Sequence, residues 1–177
     1  DMLDEFYKVL EEEKGDKVEL YCLPGLADQT AEITTDPKRL RQTMRCLLAN
    51  AVKFTEEGQI EFGYNADSHA FLEFYVKDTG IGISLEDQLT IFEKFNQLGN
   101  ASLHSSSKTG FKGGGPGLGL PITRGIIEAH GGTIWVDSPG CDEKTCPGSS
   151  FHILLPDRSE AADPKIEKLF RSEQPQS

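Results

Sequence analysis

Three short stretches of the sequence combine residue types that could bind a nucleotide. The first is DTGIG, residues 78–82, which follows an apolar run and places the carboxylate of Asp78 beside two glycines. A carboxylate accepts hydrogen bonds from exocyclic amines such as N6 of adenine, and neighbouring glycines let a flat base lie against the backbone. Asp and Gly are also ordinary choices in a turn that ends a strand, so the segment alone leaves both interpretations open.

A second candidate group lies on a predicted helix. Cys46, Asn50, Lys53 and Phe54 are spaced four, three and one residues apart and therefore share one face. An amide oxygen and an ammonium group on adjacent turns could hold Mg²⁺ and a phosphate, because magnesium on a nucleotide needs few protein ligands. An exposed polar face is the alternative, since other residues form the apolar side of this helix, namely Leu40, Met44, Leu47, Leu48 and Ala51.

The third candidate is the glycine-rich stretch GGGPGLGL, residues 113–120, which precedes another predicted helix. It does not fit the dinucleotide fingerprint, because Leu120 stands where the third glycine would be, and the chain has no Gly-Lys-Ser/Thr of a P-loop. Glycines ahead of a helix still let the backbone approach a ligand, while unpaired N–H groups and the helix dipole face an anion. A flexible connector is the alternative. No nucleophile paired with a base is recognisable, so no catalytic residue is predicted.

Periodicity and turn residues predict the elements that must position these groups. A helix is predicted from Asp36 as N-cap, through Pro37, to a stop at Gly58. The runs QIEFGY and AFLEFYVKD, separated by NADSH, predict an antiparallel strand pair that ends at Asp78. Further strands are predicted at KVELYCL, TIWV and SFHILLP.

Three more helices are predicted along the chain. Residues 1–14 have helical spacing of apolar residues, and a later helix extends to about His130. A helix that begins at Ser84, with Asp87 completing the outline of a capping box, has one apolar stripe formed by Leu85, Leu89 and Phe92. Residues 96–116 lack periodicity and predict a long loop of the functional or mobile kind.

Composition limits the class of protein. At 177 residues and 37% apolar, the chain suffices for one domain with a sizeable core. A net charge of −11 argues against a nucleic-acid binder, although a local pocket for a small anion remains compatible. There is no apolar run of membrane-spanning length, and four cysteines in a chain of this size favour a reducing, cytoplasmic location. Cys141 and Cys146 indicate a hairpin tip or, alternatively, a zinc site.

Taken together, the order of these motifs resembles the ATP-binding catalytic domain of sensor histidine kinases, within the superfamily that also holds gyrase, mismatch-repair ATPases and heat-shock chaperones. LLANAVKFT is similar to an N box, DTGIG to a G1 box, IFEKF to an F box, GPGLGL to a G2 box and GSSF to a G3 box. The likeness extends from about residue 1 to residue 156. It implies an α+β, two-layer α/β sandwich of the Bergerat type, in which a mixed, mainly antiparallel sheet is covered by three helices.

The resemblance also implies roles for individual residues. Asp78 would bind the adenine amine, with Gly80 and Gly82 lining the base, while Asn50 would bind Mg²⁺ and Lys53 would reach the phosphates of ATP. The loop 96–116 would form a lid over the nucleotide. The backbone that would meet the phosphate chain comes from the glycine-rich stretch, at Gly115, Gly117, Leu118 and Gly119.

The sequence departs from this family pattern at two positions and in the lid. Cys46 stands where histidine kinases usually carry Asn or His and hydrolytic relatives carry Glu. A thiol is a poor ligand for a hard metal and, unless ionised, no general base, which disfavours hydrolysis but allows transfer to an external acceptor. Pro116 replaces a common Thr or Ser, which predicts altered lid closure. In the lid, which is longer than the family norm, Lys108 and Lys112 are interpreted as solvated or as contacts to the terminal phosphate.

The resemblance finally implies that the chain is a piece of a larger kinase. None of its four histidines lies in the helical setting of the family's acceptor histidine, so residues 1–156 are interpreted as the catalytic domain and residues 157–177 as a polar tail or linker. Expected partners are a dimerisation domain that carries the acceptor histidine and, downstream, a response regulator receiver domain. Nucleic acid and direct membrane contact by this piece are not expected, and membrane anchoring of the parent protein is left open. The alternatives are a nucleotide-sensing pseudokinase module and, opposed by the absence of Glu at position 46, a hydrolytic clamp ATPase.

Overall fold

The computed structural model describes residues 7–8, 10–12, 14–23, 35–68, 71–93 and 118–156. Short helical stretches at 7–8 and 10–12 precede a 3₁₀ turn, Gly15–Lys17. The remaining elements in chain order are β1 (Val18–Leu23), α1 (Pro37–Phe54), β2 (Gly58–Ser68), β3 (Phe71–Asp78), α2 (Leu85–Thr90), α3 (Gly119–Ala129), β4 (Thr133–Asp137) and β5 (Ser149–Pro156). The predicted lid and the segment from residue 157 onward lie outside the described residues.

The five strands form one sheet in the order β1-β2-β3-β5-β4. The β1–β2 pair is parallel and the other three pairs are antiparallel, which confirms the mixed, mainly antiparallel sheet. In β5, buried and half-buried residues alternate with the period of two that a strand imposes, which shows that one face of the sheet is covered more fully than the other. Helices α1 and α3 contact each other and the sheet, so the predicted α+β architecture is confirmed.

The core lies between the helices and this face of the sheet. Leu47 and Leu48 of α1 are completely buried, and they belong to the same apolar cluster as Ile60, Val76 and Ile153 from three neighbouring strands. Burying each such side chain contributes roughly 1.5–3 kcal/mol. The apolar side of α1 that the sequence predicts is therefore the side that attaches the helix to the sheet.

Helix α1 begins as predicted and ends earlier than predicted. The Asp36 side chain accepts hydrogen bonds from the backbone N–H groups of Lys38, at 2.8 Å, and Arg39, at 3.3 Å. The helix ends at Phe54 rather than at Gly58. Gly58 instead starts β2 with a φ of 121°, a conformation that side chains rarely adopt, so its glycine serves the entry into the strand.

Helix α2 confirms its predicted cap and contradicts its predicted apolar stripe. Ser84 accepts a hydrogen bond from the N–H of Asp87 at 3.1 Å. Leu85 and Leu89, however, are 73% and 83% exposed. The helix is only six residues long and is fixed to the domain through Gln88, which turns the two leucines outward. Ile91 and Phe92, just beyond the helix, supply the apolar contacts to the core.

Within the described ranges, no helix combines the length and the hydropathy that a membrane span needs.

Candidate functional site

Asp78 ends β3 in a buried, hydrogen-bonded position. Its side chain is 5% exposed, and its register neighbours are Ile60 on β2 and Ser149 on β5. One carboxylate oxygen accepts the N–H of Gly80 at 2.9 Å, and the other accepts the hydroxyl of Ser149 at 2.5 Å. Burial raises the pKa of Asp78, while these hydrogen bonds oppose the shift. Each carboxylate oxygen has two lone pairs, so the group can accept a further hydrogen bond from an exocyclic amine.

Ser149 is a site residue that the sequence motifs did not single out. The segment GSSF is similar to a G3 box, but this likeness gives its serines no role. The serine reaches Asp78 because β3 and β5 pair antiparallel with Asp78 opposite Ser149, 71 residues away along the chain. Only the strand register reveals this pair.

The glycines of DTGIG are required by close backbone approach. A Cβ on Gly80 would lie 2.2 Å from the carbonyl oxygen of Phe54, at the end of α1. Gly82 has a φ of 75°, and a Cβ there would lie 2.1 Å from the carbonyl oxygen of Gly140. Close backbone packing is therefore a sufficient reason for glycine at both positions. The contact of either glycine with a base stays a prediction.

Helix α1 brings the other two motifs together. At its C-terminal end, the carbonyl of Phe54 accepts the N–H of Ile81 at 3.3 Å, which joins the helix to DTGIG. Two turns earlier, a Cβ on Gly119 would lie 2.9 Å from Sγ of Cys46, so the start of α3 touches the same helix. Asn50 lies between these two contacts, one turn beyond Cys46 on the shared face.

The polar stripe of α1 is divided between packing and exposure. Cys46 is half-buried between α1 and the start of α3. Burial raises the pKa of Cys46, so the thiol is neutral at physiological pH. Asn50 is half-buried, and Lys53 is exposed with Nζ at 5.0 Å from the centroid of the Phe54 ring.

The first turn of α3 has the form of an anion-binding helix start. Leu118 occupies the N-cap position, and no side chain of the described residues caps the helix. The carbonyl of Leu118 accepts the N–H of Ile122 at 3.1 Å, so the helix begins at this residue. Its first N–H groups thus lack an intrahelical acceptor, as at any helix start. Gly115 and Gly117 lie outside the described residues, and so do Pro116 and the lid lysines.

The donors in this region fit magnesium on a nucleotide better than a protein-bound metal cluster. Within the described ranges, no three His, Cys, Asp or Glu side chains group as metal ligands. Asn50 can supply one hard oxygen, which suits Mg²⁺ that keeps its waters and its phosphate ligands. The neutral thiol of Cys46 does not suit a hard cation. Cys141 and Cys146 are both exposed in the β4–β5 connection, in line with the predicted hairpin tip.

Comparison with protein families gives one match over most of the chain. The family model described as "Histidine kinase-, DNA gyrase B-, and HSP90-like ATPase" matches residues 35–159. These residues include every described residue to which the sequence assigned a binding role.

Relatives and solved structures agree with this match. The chain is 33% identical to the autoinducer 2 sensor kinase/phosphatase LuxQ of Vibrio vulnificus over 95% of this chain and 19% of that protein. It is 40% identical to the sensor protein GacS of Pseudomonas syringae pv. syringae over 72% of this chain and 13% of that protein. The structure of full-length ShkA in complex with AMPPNP superposes with a TM-score of 0.67 at 27% identity, over 91% of this chain and 30% of that chain. The mycobacterial sensor histidine kinase MprB shares the fold, with a TM-score of 0.66 at 23% identity over 89% and 94% of the two chains. The chain thus spans a fifth or less of the length of LuxQ and of GacS.

Proposed function

Because the chain belongs to the histidine kinase-, DNA gyrase B- and HSP90-like ATPase family and is similar over most of its length to sensor kinases, we propose that it presents Mg-ATP for transfer of the γ-phosphate to a histidine. That histidine lies on a separate dimerisation domain, and the phosphate passes from there to a response regulator receiver domain. Residues 1–156 form the catalytic domain in this proposal, and residues 157–177 form a tail or linker.

The observation that carries the proposal is the buried carboxylate of Asp78 beside α1. A carboxylate that is held by Gly80 and Ser149 is preorganised to accept the N6 amine of adenine. Its hydrogen bonds compensate part of the cost of burial before the ligand arrives. The bound AMPPNP in the similar ShkA supports a nucleotide as the ligand.

The phosphates would extend from the base along α1 toward α3. Asn50 would contribute one oxygen to Mg²⁺, and exposed Lys53 would approach the phosphates. The N–H groups at Leu118 and Gly119 would face the phosphates with the positive end of the α3 dipole. When bound, Mg²⁺ would neutralise charge on the β- and γ-phosphates.

Transfer rather than hydrolysis fits the chemistry around Cys46. Hydrolysis needs a group that orients or activates water, and the neutral Cys46 thiol cannot act as a base. In transfer, a nitrogen of the acceptor imidazole forms the bond to phosphorus as the bond to the ADP oxygen breaks. Positioning and charge stabilisation supply most of the catalysis in such a reaction.

The described histidines are engaged elsewhere in the domain. His152 of β5 contacts Glu73 at 2.8 Å and stacks on Trp135 with the ring centroids 5.0 Å apart. His130 follows α3, and its Nδ1 lies 2.7 Å from the carbonyl oxygen of Ile126. His69 and His104 lie outside the described residues. An acceptor histidine on a partner domain is the arrangement that we propose.

The proposal is tested by calorimetric titration of the chain with ATP at several Mg²⁺ concentrations. Asp78→Asn replaces the charged carboxylate, which only accepts hydrogen bonds, with a neutral amide. It should weaken ATP binding by about 10- to 150-fold, the usual effect of losing a hydrogen bond to a charged group. Asn50→Ala should mainly erase the dependence of affinity on Mg²⁺. Matched controls are Asp16→Asn, in the exposed 3₁₀ turn, and Gln42→Ala, on the exposed part of α1. Unchanged ATP affinity in Asp78→Asn would refute the proposed site.

A second assay separates the proposed reaction from its alternatives. The chain is mixed with radiolabelled ATP and a dimerisation domain from a similar sensor kinase, and acid-labile phosphohistidine is measured. Tight ATP binding without transfer would favour a nucleotide-sensing module. Appreciable ATP hydrolysis by the chain alone would instead favour a clamp ATPase.

A further inference from the structure

The hydroxyl of Ser138 joins the two backbone segments that present Asp78 and Ser149. It accepts the N–H of Ile83 at 2.9 Å, in the segment that follows Asp78. It lies 2.6 Å from the carbonyl oxygen of Gly148, immediately before Ser149, and 2.9 Å from that of Gly140, either of which can accept its hydrogen. One side chain therefore connects the β3 end to the β5 start.

Gln88 of α2 joins the segment after β3 to the backbone of Ser138 itself. Its Nε2 donates to the carbonyl oxygen of Ile83 at 2.8 Å and to that of Ser138 at 2.9 Å, which uses both amide hydrogens. Neither Gln88 nor Ser138 hydrogen-bonds to the Asp78 carboxylate itself. We refer to Ser138 and Gln88 together as the clamp.

The backbone needs such a connection at this point. Ser149 is the first residue of β5 and Asp78 is the last of β3, so the regular strand pairing stops at this pair. Beyond it, the two segments are joined by backbone bonds from Gly148 to Gly80 and from Asp142 to Ile81, each 2.9 Å long. Strand ends open more easily than strand centres, since fewer hydrogen bonds have to break. The clamp adds side-chain hydrogen bonds where the ladder ends.

We propose that Ser138 and Gln88 are positioning residues for base recognition, which fix the separation of Asp78 from Ser149 and thereby the preference of the site for adenine. The inference rests on the proposed function, because it assigns the purine to Asp78. Adenine offers the N6 amine as a donor, whereas guanine offers the O6 acceptor at the same position. A carboxylate held in place favours the first and repels the second. A loosened pair can shift away from O6, so it loses affinity for ATP and discriminates less against GTP.

The test compares the dissociation constants of Mg-ATP and Mg-GTP, measured by competition with a fluorescent ATP analogue. Ser138→Ala and Gln88→Glu, which has the same shape but cannot donate two hydrogen bonds, should each weaken ATP binding about tenfold. The dissociation constant of GTP should stay within about twofold, so that the ratio of the two constants falls. Ser138→Thr, which keeps the hydroxyl, should retain the wild-type ratio. Matched controls are Ser150→Ala, next to Ser149 but on the opposite face of β5, and Glu86→Ala, exposed on α2.

The outcomes separate this inference from the proposed function. A merely structural role would weaken ATP and GTP binding equally, and that result, or unchanged ATP affinity in both clamp variants, overturns the inference alone. Failure of the wild-type chain to bind ATP, or full affinity in Asp78→Asn, overturns the proposed function and the inference with it. Thermal unfolding of each variant shows that it is folded, and Gln88→Glu carries the comparison if Ser138→Ala does not fold.

Discussion

The contact between Cys46 and Gly119 makes a substitution at position 119 a sensitive probe of the site. A Cβ at this position would lie 2.9 Å from Sγ of Cys46, which is its one close contact among the described residues outside its own helical turn and chain neighbours. Non-bonded heavy atoms pack at roughly 3.5–4.0 Å, so the methyl group of Gly119→Ala lacks at least about 0.6 Å of space. Either the start of α3 moves away from α1, or the thiol rotates.

The two ways of relieving this overlap set the size of the effect. Overpacking without rearrangement costs about 1–3 kcal/mol. Rotation of the thiol away from its preferred rotamer costs about 0.5–1.5 kcal/mol. Replacing glycine by alanine returns about 0.4–1 kcal/mol through the unfolded chain. The cheaper route governs, so we expect the thiol to rotate and the net destabilisation to be at most about 1 kcal/mol.

A double-mutant cycle isolates this contact. Urea unfolding is measured for Gly119→Ala, Cys46→Ala and the pair, because Cys46→Ala removes the sulfur that the new methyl group meets. The double variant should be more stable than the sum of the single effects predicts, by about 1 kcal/mol. Additivity within about 0.5 kcal/mol would refute the close contact.

Three further predictions test other parts of the structure. Because burial raises the pKa of Asp78 above its unfolded value of 3.8, the folded state binds the proton more tightly and the free energy of unfolding falls as pH rises from the unfolded to the folded pKa. Asp78→Asn should remove this fall. Urea unfolding of both proteins between pH 4 and 8 measures the difference in their free energies of unfolding, which should become constant once Asp78 is ionised in both the folded and the unfolded state. Ser84→Ala removes the N-cap of α2 and should cost about 1 kcal/mol in urea unfolding, and no loss would contradict the cap. Gly82→Ala combines a φ of 75° with a Cβ 2.1 Å from a carbonyl oxygen and should cost roughly 2–4 kcal/mol, whereas Gly125→Ala, with open space around it, should not destabilise.

Local patterns predicted the elements whose determinants lie within them. The cap at Asp36, the proline at the first helical position and the apolar side of α1 are all confirmed, because each depends on residues within a few positions of one another. The β2–β3 pair is confirmed for the same reason, since the two strands adjoin in sequence. The predicted turn NADSH was wrong in extent, because β2 continues to Ser68 with an irregular register after Asn65. The end of α1 was wrong because Gly58 satisfies a strand rather than a helix.

Features that depend on residues far apart in the chain could not be predicted from the sequence. Leu85 and Leu89 have helical spacing, but the inward-facing side of α2 is the one that carries Gln88, which donates to Ile83 and to the distant Ser138. Ser149 faces Asp78 only through the β3–β5 register, 71 residues apart. Ser138 has no local signal at all, because a serine before a turn is ordinary. The candidate residues for base recognition were thus half predictable: the carboxylate has a motif, and its supports do not.

The charge of the chain explains why the binding of an anion must be local. With a net charge of −11, the chain as a whole repels a nucleotide, and screening at physiological salt confines that repulsion to roughly 8 Å. Attraction must then act at shorter range than this distance. In the proposed arrangement the N–H groups of the α3 start, the Lys53 ammonium and Mg²⁺ at Asn50 provide it at the phosphates, while Asp78 contacts only the uncharged base. A neutral Cys46 adds no further negative charge between Asn50 and α3. A carboxylate at position 46, such as the Glu of hydrolytic relatives, would add a negative charge there and repel the phosphates. The thiol avoids this repulsion, which suits a domain that holds ATP for transfer to an external acceptor.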